Sequence, residues 1–368
     1  LLAAPALTTA PPERVMAYAA ILAAASAAFV PGRRSKLLAL VGIGAVATLG
    51  APTLRMSPYK DLPATPTATV LATRYGPRGR VDRVSSPAIH DAPGLSLQAR
   101  RSIPPQDGLF VDGQRVAAVD LRPSSYLDDT VHALPFVLGR PGRTVLLGVG
   151  PDLGRADLVV DADINRLELA GAKGAALPPR RWLDRSQGAV DLLIAHLGTG
   201  DPVAEDPVFT VEALRRALER APLVALGSRL MTPPRPGLRL LALADAVTPH
   251  VVAIRSLDRL AVVLLREAPT PIQLRRVEAF ARARAFDRVR PPPDAGTAPF
   301  HETATPLVTP DAGYPFDVRA PTDARPYIHR TFRWARLADL VDPDAIPYVP
   351  WRFVLRIVAF VQILLLGL

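Results

Sequence analysis

The side chains that could do chemistry are few, and their spacing excludes most familiar sites. The chain of 368 residues contains six histidines and no cysteine. Without cysteine it cannot hold a zinc–thiolate site, an iron–sulfur cluster, a disulfide framework or a thiol nucleophile. No two histidines stand at the spacing that places both on one helix face, and Gly-x-Ser-x-Gly and phosphate-loop motifs are absent. We therefore expect no metal site. The histidines are His90, His132, His196, His250, His301 and His329.

Arginine dominates the charged residues. Lys and Arg number 44 against 34 Asp and Glu, which gives a net charge of +10 and favours anionic neighbours. In the segment after Pro271, the aromatic residues Phe280 and Phe286 fall on the expected buried stripe, so they offer no platform on which bases could stack. We expect contacts with lipid headgroups or protein subunits, and no nucleic acid. The arginines of this segment are Arg275, Arg276, Arg282, Arg284, Arg288 and Arg290.

Three apolar runs near the ends predict an integral membrane protein. Residues 15–30 and 37–51 carry no charge and are joined by a basic turn, and residues 351–368 are apolar apart from two arginines and a glutamine. Each run is shorter than the ~20 residues that cross a bilayer, but the flanking residues can extend it. A signal peptide has one such run, so the pair favours a membrane hairpin over a signal peptide or a buried core.

The charges beside these runs predict the side of the membrane. Arg33, Arg34 and Lys36 form the short turn, which the positive-inside rule places in the cytoplasm. Residues from about 53 to 347 would then lie in the periplasm of a bacterium, anchored in the inner membrane. Arg352 and Arg356 point the other way, because they put positive charge at the outer end of the third run.

Patterns between the ends predict two folded parts. From residue 70 to 119, short β-type runs (70–76, 79–86, 94–101 and 108–119) are broken by Gly and Pro, which predicts antiparallel hairpins. Later, buried-strand runs alternate with helical patterns such as residues 208–221, and Thr270 and Pro271 predict a helix start. Such alternation favours an α/β, doubly wound, mostly parallel sheet. The expected strands are residues 144–148, 157–161, 190–195, 222–226, 251–255 and 260–266.

These patterns divide the chain into five segments. We expect a transmembrane hairpin, a β-rich N-terminal domain, a Rossmann-like domain, a Pro-rich loop with a C-terminal extension, and a last transmembrane helix. Their predicted bounds are 1–52, 53–135, 136–290, 291–347 and 348–368.

A set of short motifs follows in one order between residues 57 and 340. They include Gly108-Leu109-Phe110-Val111-Asp112-Gly113, Tyr126-Leu127-Asp128, Tyr314-Pro315-Phe316-Asp317 and Thr322-Asp323-Ala324-Arg325-Pro326-Tyr327. The set resembles the bacterial membrane-bound spermidine-synthase-like proteins, in which a polyamine aminopropyltransferase-like domain lies between transmembrane helices. The resemblance implies a small β-hairpin N-terminal domain joined to a methyltransferase-like (Rossmann) sheet.

The resemblance also implies a cofactor site, which the sequence indicates is vestigial. In the family, decarboxylated S-adenosylmethionine lies on a glycine-rich turn after the first Rossmann strand, where Gly148 and Gly150 match. Asp163 matches the acid that takes the ribose hydroxyls. Only residues 151–156 separate the two expected strands, whereas a parallel crossover needs about a dozen residues or more. We expect the helix between them to be missing or reduced to one turn, and no cofactor to bind.

The amine side of the implied site is altered as well. The family carries an acidic segment whose first Asp is the base for the attacking amine. If Asp201 and Pro202 match the end of that segment, Gly198 stands in the place of the base, while His196 lies two residues earlier and could serve instead. Tyr126 with Asp128 or Asp129, and the turn Asp112-Gly113-Gln114, match substrate-orienting residues of the family. They are equally ordinary strand and turn residues.

Two functions stay open from the sequence. The first is a non-catalytic, membrane-anchored subunit that docks on and stabilises a larger membrane complex, with photosynthetic and respiratory complexes as candidate partners. In it Gly148, Gly150, Asp163, Tyr126 and Asp201 are vestigial, and no residue is catalytic. The alternative is a membrane-bound aminopropyltransferase or S-adenosylmethionine-dependent transferase with an altered site.

Overall fold

The computed structural model describes residues 12–27, 32, 36–37, 40–41, 56–331, 333 and 362. Within 56–331 the gaps are residues 77, 123–124, 186–187, 199–206, 232–233, 293–306, 308–313 and 315. The first apolar run forms helix α1 (Pro12–Ala27). Most of the other two runs, 37–51 and 351–368, lies outside the described residues. No helix in the described part is long and apolar enough to cross a bilayer.

The N-terminal sheet has four antiparallel strands preceded by a short helix, α2 (Asp61–Ala64). The strands pair in chain order, as expected for successive hairpins, and Val81, Val84, Leu109 and Phe110 are fully buried. One prediction was wrong: residues 94–101 form no strand, and only an isolated bridge joins Leu95 to Thr130. The strands are β1 (Thr69–Gly76), β2 (Gly79–Ser85), β3 (Gln106–Val111) and β4 (Gln114–Asp120).

A second sheet of eight strands carries the rest of the described fold. Short segments, two 3-10 turns (Tyr126–Asp129 and Val131–Ala133) and helix α3 (Leu134–Leu138), lead into it. Its strands are β5 (Thr144–Leu147), β6 (Leu158–Asp161), β7 (Gly174–Ala176), β8 (Leu192–His196), β9 (Leu223–Arg229), β10 (Val251–Arg255), β11 (Arg259–Leu265) and β12 (Asp287–Arg290). The helices are α4 (Ile164–Ala170), α5 (Pro179–Arg185), α6 (Val211–Arg220), α7 (Pro236–Val247) and α8 (Pro271–Ala283).

The strand order of this sheet is β7-β6-β5-β8-β9-β11-β10-β12. Neighbours from β7 to β9 are parallel, while β11 is antiparallel to both β9 and β10. The order runs outward in both directions from β5, so the sheet is doubly wound as the alternation predicted. The carboxyl ends of β5 and β8 meet at the point where the strand order reverses, which is where open α/β sheets bind ligands.

Both faces of the sheet are covered. Successive residues of one strand enter different cores: Leu193 packs with the α6 and α7 side, and Leu192 and Ile194 pack with the α3 and α8 side. Because side chains alternate across a strand, this two-sided burial explains the continuous apolar runs in the sequence.

Residues 316–331, which we call the C-terminal strap, contact the start of α6 and the buried Arg239 of α7. Arg239 of α7 is buried and donates to the carbonyl oxygens of Arg319, Ile328 and Arg330 at 3.0, 3.1 and 2.6 Å. An arginine inside a fold is stable only when its donors are satisfied, and here backbone carbonyls of the strap accept them.

Candidate functional site

The turn after β5 begins as the glycine pattern predicts. Gly148 has φ +88°, a conformation that L side chains rarely adopt, and its N–H donates to the Val160 carbonyl at 2.7 Å. A Cβ at Gly150 would stand 3.4 Å from Cδ2 of His196. The turn therefore runs directly beside the end of β8, and the His196 ring lies next to its second glycine.

The connection from β5 to β6 contains no α-helix. Residues 148–157 join the strands, and their regular structure is one 3-10 turn, Leu153–Arg155. The strands are nevertheless paired in parallel, with Val145 opposite Leu158. As the sequence predicted, the crossover helix is reduced to one turn. Residues 148–157 therefore lack the helix N-terminus that would face an anionic or polar cofactor group.

The acidic residues after β6 are engaged by the backbone. Strand β6 ends at Asp161, so Asp161 and not Asp163 occupies the strand end that the sequence assigned to Asp163. Asp161 accepts hydrogen bonds from the N–H groups of Val149 at 3.0 Å and Asp163 at 2.8 Å. Asp163 is the N-cap of α4 and accepts from the N–H of Asn165 at 2.9 Å. Both carboxylates are buried, and both organise the chain around them.

Two histidines and an aspartate meet at the carboxyl end of β8. His196 Nε2 lies 2.8 Å from Asp152 Oδ2, and the rings of His132 and His196 are perpendicular with centroids 4.6 Å apart. Asp152 comes from the turn after β5, His196 ends β8, and His132 belongs to the second 3-10 turn. Asp152 and His132 are buried, and the His196 side chain is 11% exposed. We call these three residues the His–Asp–His cluster.

A glycine on the neighbouring strand makes room for this cluster. Gly227 of β9 is paired with His196, and a Cβ there would collide with the His196 ring and stand 2.9 Å from Cε1 of His132. Parallel neighbours point their side chains to the same face of a sheet, so only a residue without a side chain leaves space for two imidazoles.

Burial controls the charges within the cluster. Desolvation, assisted by the nearby His196, lowers the pKa of His132 to about 3, so this imidazole is neutral near pH 7. Burial alone would raise the pKa of Asp152, but the hydrogen bond from His196 and nearby positive charge outweigh it and the pKa falls. The cluster therefore holds one carboxylate and at least one neutral imidazole.

The residues implied as substrate-orienting serve as structural contacts. Tyr126 is buried, and its hydroxyl lies 3.2 Å from Gln106 Nε2 and 3.4 Å from Asp120 Oδ1. Burial and the Asp120 carboxylate raise the pKa of Tyr126 well above its ordinary value. Asp128 pairs with Arg101 and Arg155.

Asp129 and the implied turn have similar contacts. Asp129 pairs with Arg284 at 2.9 Å, close to the end of α8. In the turn, Asp112 and Gly113 have φ +47° and +78° and form the tip between β3 and β4, and Gln114 donates to Asp61. These residues join elements of the fold.

Some predicted site residues are brought together and others are not. Gly148, Gly150 and His196 lie at one edge of the sheet, whereas Asp201 lies outside the described residues. His132 and Asp152 were not predicted as site residues. No spacing signal in the sequence could have found them, because the His–Asp–His cluster draws one residue from each of three elements.

The strand order defines the class of fold. A doubly wound sheet in which an antiparallel strand, β11, is inserted between β9 and β10 is a methyltransferase-like α/β Rossmann fold, here with β12 added at the edge.

Comparison with known proteins gives the following similarities. No protein-family model and no curated protein matches the chain. Among solved structures it is similar to a probable spermidine synthase from Corynebacterium glutamicum, with 11% identity, TM-score 0.46, and 69% of this chain and 97% of that chain covered. It is also similar to TrmN from Thermus thermophilus (21% identity, TM-score 0.26, 39% and 49% covered). A 16S rRNA methyltransferase from the same organism gives 18% identity, TM-score 0.27, and 45% and 46% covered.

To an S-adenosylmethionine-type cofactor, the described residues at the carboxyl ends of β5 and β6 present a 3-10 turn and buried carboxylates, and no α-helix N-terminus in residues 148–157. Asp161 is buried, and both of its carboxylate oxygens accept from backbone N–H groups. Asp163 is also buried, with one oxygen on the N–H of Asn165 and the other, Oδ2, without a hydrogen-bond partner. Asp152 and His196 pair beside the glycine turn.

Proposed function

We propose that the chain is a non-catalytic, membrane-anchored, spermidine-synthase-like subunit that docks on and stabilises a larger membrane protein complex. The observation that carries the non-catalytic part is the β5–β6 connection, in which a 3-10 turn and the buried Asp152 replace the crossover helix. A fold can keep its core while it loses the chemistry at its edge, since fold alone does not imply function.

The membrane part of the proposal is supported by the sequence. Three apolar runs stand near the ends of the chain, and the net charge of +10 suits lipid headgroups or acidic subunit surfaces. The proposed location is a bacterial inner membrane with residues 53–347 in the periplasm, and the proposed partners are integral membrane subunits of a photosynthetic or respiratory complex.

Purification of the full chain from native membranes, followed by calorimetry, tests both parts. We expect integral membrane proteins to co-purify in fixed stoichiometry. We expect calorimetry to detect no saturable binding of S-adenosylmethionine or its decarboxylated form. Saturable binding of either compound that is lost in the Gly150→Arg variant and kept in the Gly188→Arg variant would overturn the non-catalytic proposal. Gly188 is an exposed glycine far along the chain from the turn, so it controls for the added charge.

One observation favours the alternative, an aminopropyl- or S-adenosylmethionine-dependent transferase. His196 lies at the end of β8, its side chain is 11% exposed, and its ring is hydrogen-bonded to Asp152. An oriented general base has this arrangement. If calorimetry detects cofactor binding, we expect His196→Gln to preserve that binding and to abolish turnover with an amine acceptor.

A further inference from the structure

We propose that the His–Asp–His cluster binds one divalent first-row transition-metal ion, for which Zn²⁺ is the probe. The proposal is independent of the docking function, because it concerns three side chains within the described fold. One donor atom from each of His132, Asp152 and His196 lies within 4.8 Å of the others.

The donor set determines the class of ion. Two imidazole nitrogens with one carboxylate oxygen suit Zn²⁺, Fe²⁺, Ni²⁺ or Cu²⁺, whereas Mg²⁺ and Ca²⁺ prefer sites made of oxygen alone. Three protein ligands leave a fourth position for solvent, and the partly exposed ring of His196 provides a path to it.

Unpartnered atoms inside the cluster point to a missing ligand. Among the described residues, His132 Nε2 and Asp152 Oδ1 are buried and have no hydrogen-bond partner. The two residues are only 6% and 1% exposed. A buried polar atom without a partner costs about 1–3 kcal/mol, so folds rarely retain two in one place without a use for them.

The two arginines near the cluster each form an ion pair with an acid outside it. Arg155 and Arg259 lie close by, but Arg155 pairs with Asp128 at 2.9 Å and Arg259 pairs with Asp258 at 3.4 Å. Asp152 therefore contributes a carboxylate that is not fully neutralised by either arginine, its contact with Arg155 being 3.8 Å long.

Binding requires only a small contraction. Tetrahedral coordination at about 2.0–2.1 Å places ligand atoms about 3.4 Å apart. The His196 and Asp152 donor atoms are now 2.8 Å apart and must separate slightly, while the widest pair, within 4.8 Å, must close by up to about 1.4 Å. Changes of side-chain torsion supply shifts of this size, and the absence of a Cβ at Gly227 lets both rings lie against β9.

Metal binding to the full chain, stripped with a chelator and then titrated, tests the proposal. We expect one Zn²⁺ per chain by calorimetry, and binding of Mg²⁺ at least 100-fold weaker. Loss of a supporting residue around a metal typically costs 10–100-fold in affinity, so His132→Ala and His196→Ala should each weaken Zn²⁺ binding by about 100-fold or more. The control variant His90→Ala removes an exposed histidine outside the cluster and should bind Zn²⁺ as tightly as the parent chain does.

A measurement on the unaltered chain covers the case in which a cluster variant fails to fold. X-ray absorption of the Zn²⁺-loaded chain should show two imidazoles and one or two oxygens at about 2.0–2.1 Å. Absence of stoichiometric Zn²⁺ binding, equal binding by His132→Ala, or an absorption spectrum without imidazole scattering would each overturn the proposal.

Discussion

The two parallel connections beside the centre of the large sheet are built differently. The first connection (residues 148–157) joins β5 to β6 through one 3-10 turn without a buried residue in it. The second (residues 197–222, described except for 199–206) joins β8 to β9 through α6, an amphipathic helix with buried residues along one face. The second connection therefore builds the core, while the first contributes a buried polar side chain, Asp152, to the site.

The ends of these connections differ in the same way. Thr210 caps α6 by accepting from the N–H of Ala213 at 3.2 Å, and the N–H of Val211 donates to the strap carbonyl of Pro321 at 3.0 Å. Two of the N–H donors at this helix start are thus satisfied by the protein itself. In the first connection, Asp152 faces a histidine.

Strand length explains why a short first connection is possible. Strands β5 and β6 have four residues each, so the chain must return over about 13 Å, which ten extended residues easily span. The face that a crossover helix would cover is filled by other elements, since Leu134 and Leu138 of α3 and Phe280 of α8 belong to its core. The comparison teaches that this fold can lose a crossover helix at its ligand edge without opening its core.

The largest expected effect tests whether the second connection contributes more to the stability of the core than the first. Leu214 of α6 is 1% exposed, and Leu214→Ala should cost about 2–5 kcal/mol of unfolding free energy, because it leaves a cavity between helix and sheet. Leu153→Ala, in the 3-10 turn, should cost only about 1 kcal/mol, because Leu153 is partly exposed. Urea denaturation of both variants measures the difference, and equal losses would show that the first connection is also part of the core.

A second prediction concerns the space in which the two histidines lie. Gly227→Ala should cost about 1–3 kcal/mol, because the new methyl group collides with His196 and crowds His132. Gly198→Ala is the matched control: nothing lies within 4 Å of a Cβ there, so a change within about 0.5 kcal/mol is expected. Denaturation curves together with histidine ring NMR signals report both effects, and unchanged ring signals in Gly227→Ala would refute the packing argument.

The sequence predicted the regular parts of the fold because they have strong local signals. The helical pattern of residues 208–221 predicted α6. The start signal at Thr270 predicted α8, which has a capping box between Thr270 and Gln273. Helix α7 was missed, since it is buried on nearly all sides and shows little periodicity. Helix α4 was missed because seven residues give too short a pattern.

The site was predictable only where one stretch of chain makes it. Gly148 and the shortened crossover follow from local sequence, because both depend on the spacing between two strands. The meeting of His132 with His196 depends on how a 3-10 turn packs against the end of β8, and no local pattern encodes that contact. Membership of Asp152 in the cluster likewise follows from tertiary packing.

The smallest expected effect is a pH dependence in the strap that holds the start of α6. Hydrogen bonds from Arg319, at 2.9 and 2.8 Å, lower the pKa of Asp317 from 3.8 to about 2. A lowered carboxylate pKa stabilises the folded chain at pH values above the ordinary pKa of 3.8. That stabilisation is lost as the pH falls from 3.8 through 2. Because Arg319 is 68% exposed, solvent screening limits the contribution to below about 1 kcal/mol.

Comparison of the parent chain with Asp317→Asn isolates this contribution from that of other carboxylates. The parent should be more stable by less than about 1 kcal/mol at pH 6, and the difference should shrink as the pH falls below 3.8 and be lost only below pH 2, where Asp317 becomes protonated in the folded chain. Thermal unfolding followed by circular dichroism across this range gives the measurement. A difference that does not change with pH would mean that Asn disturbs the packing of the strap, and that the ion pair with Arg319 contributes nothing to holding the second connection in place.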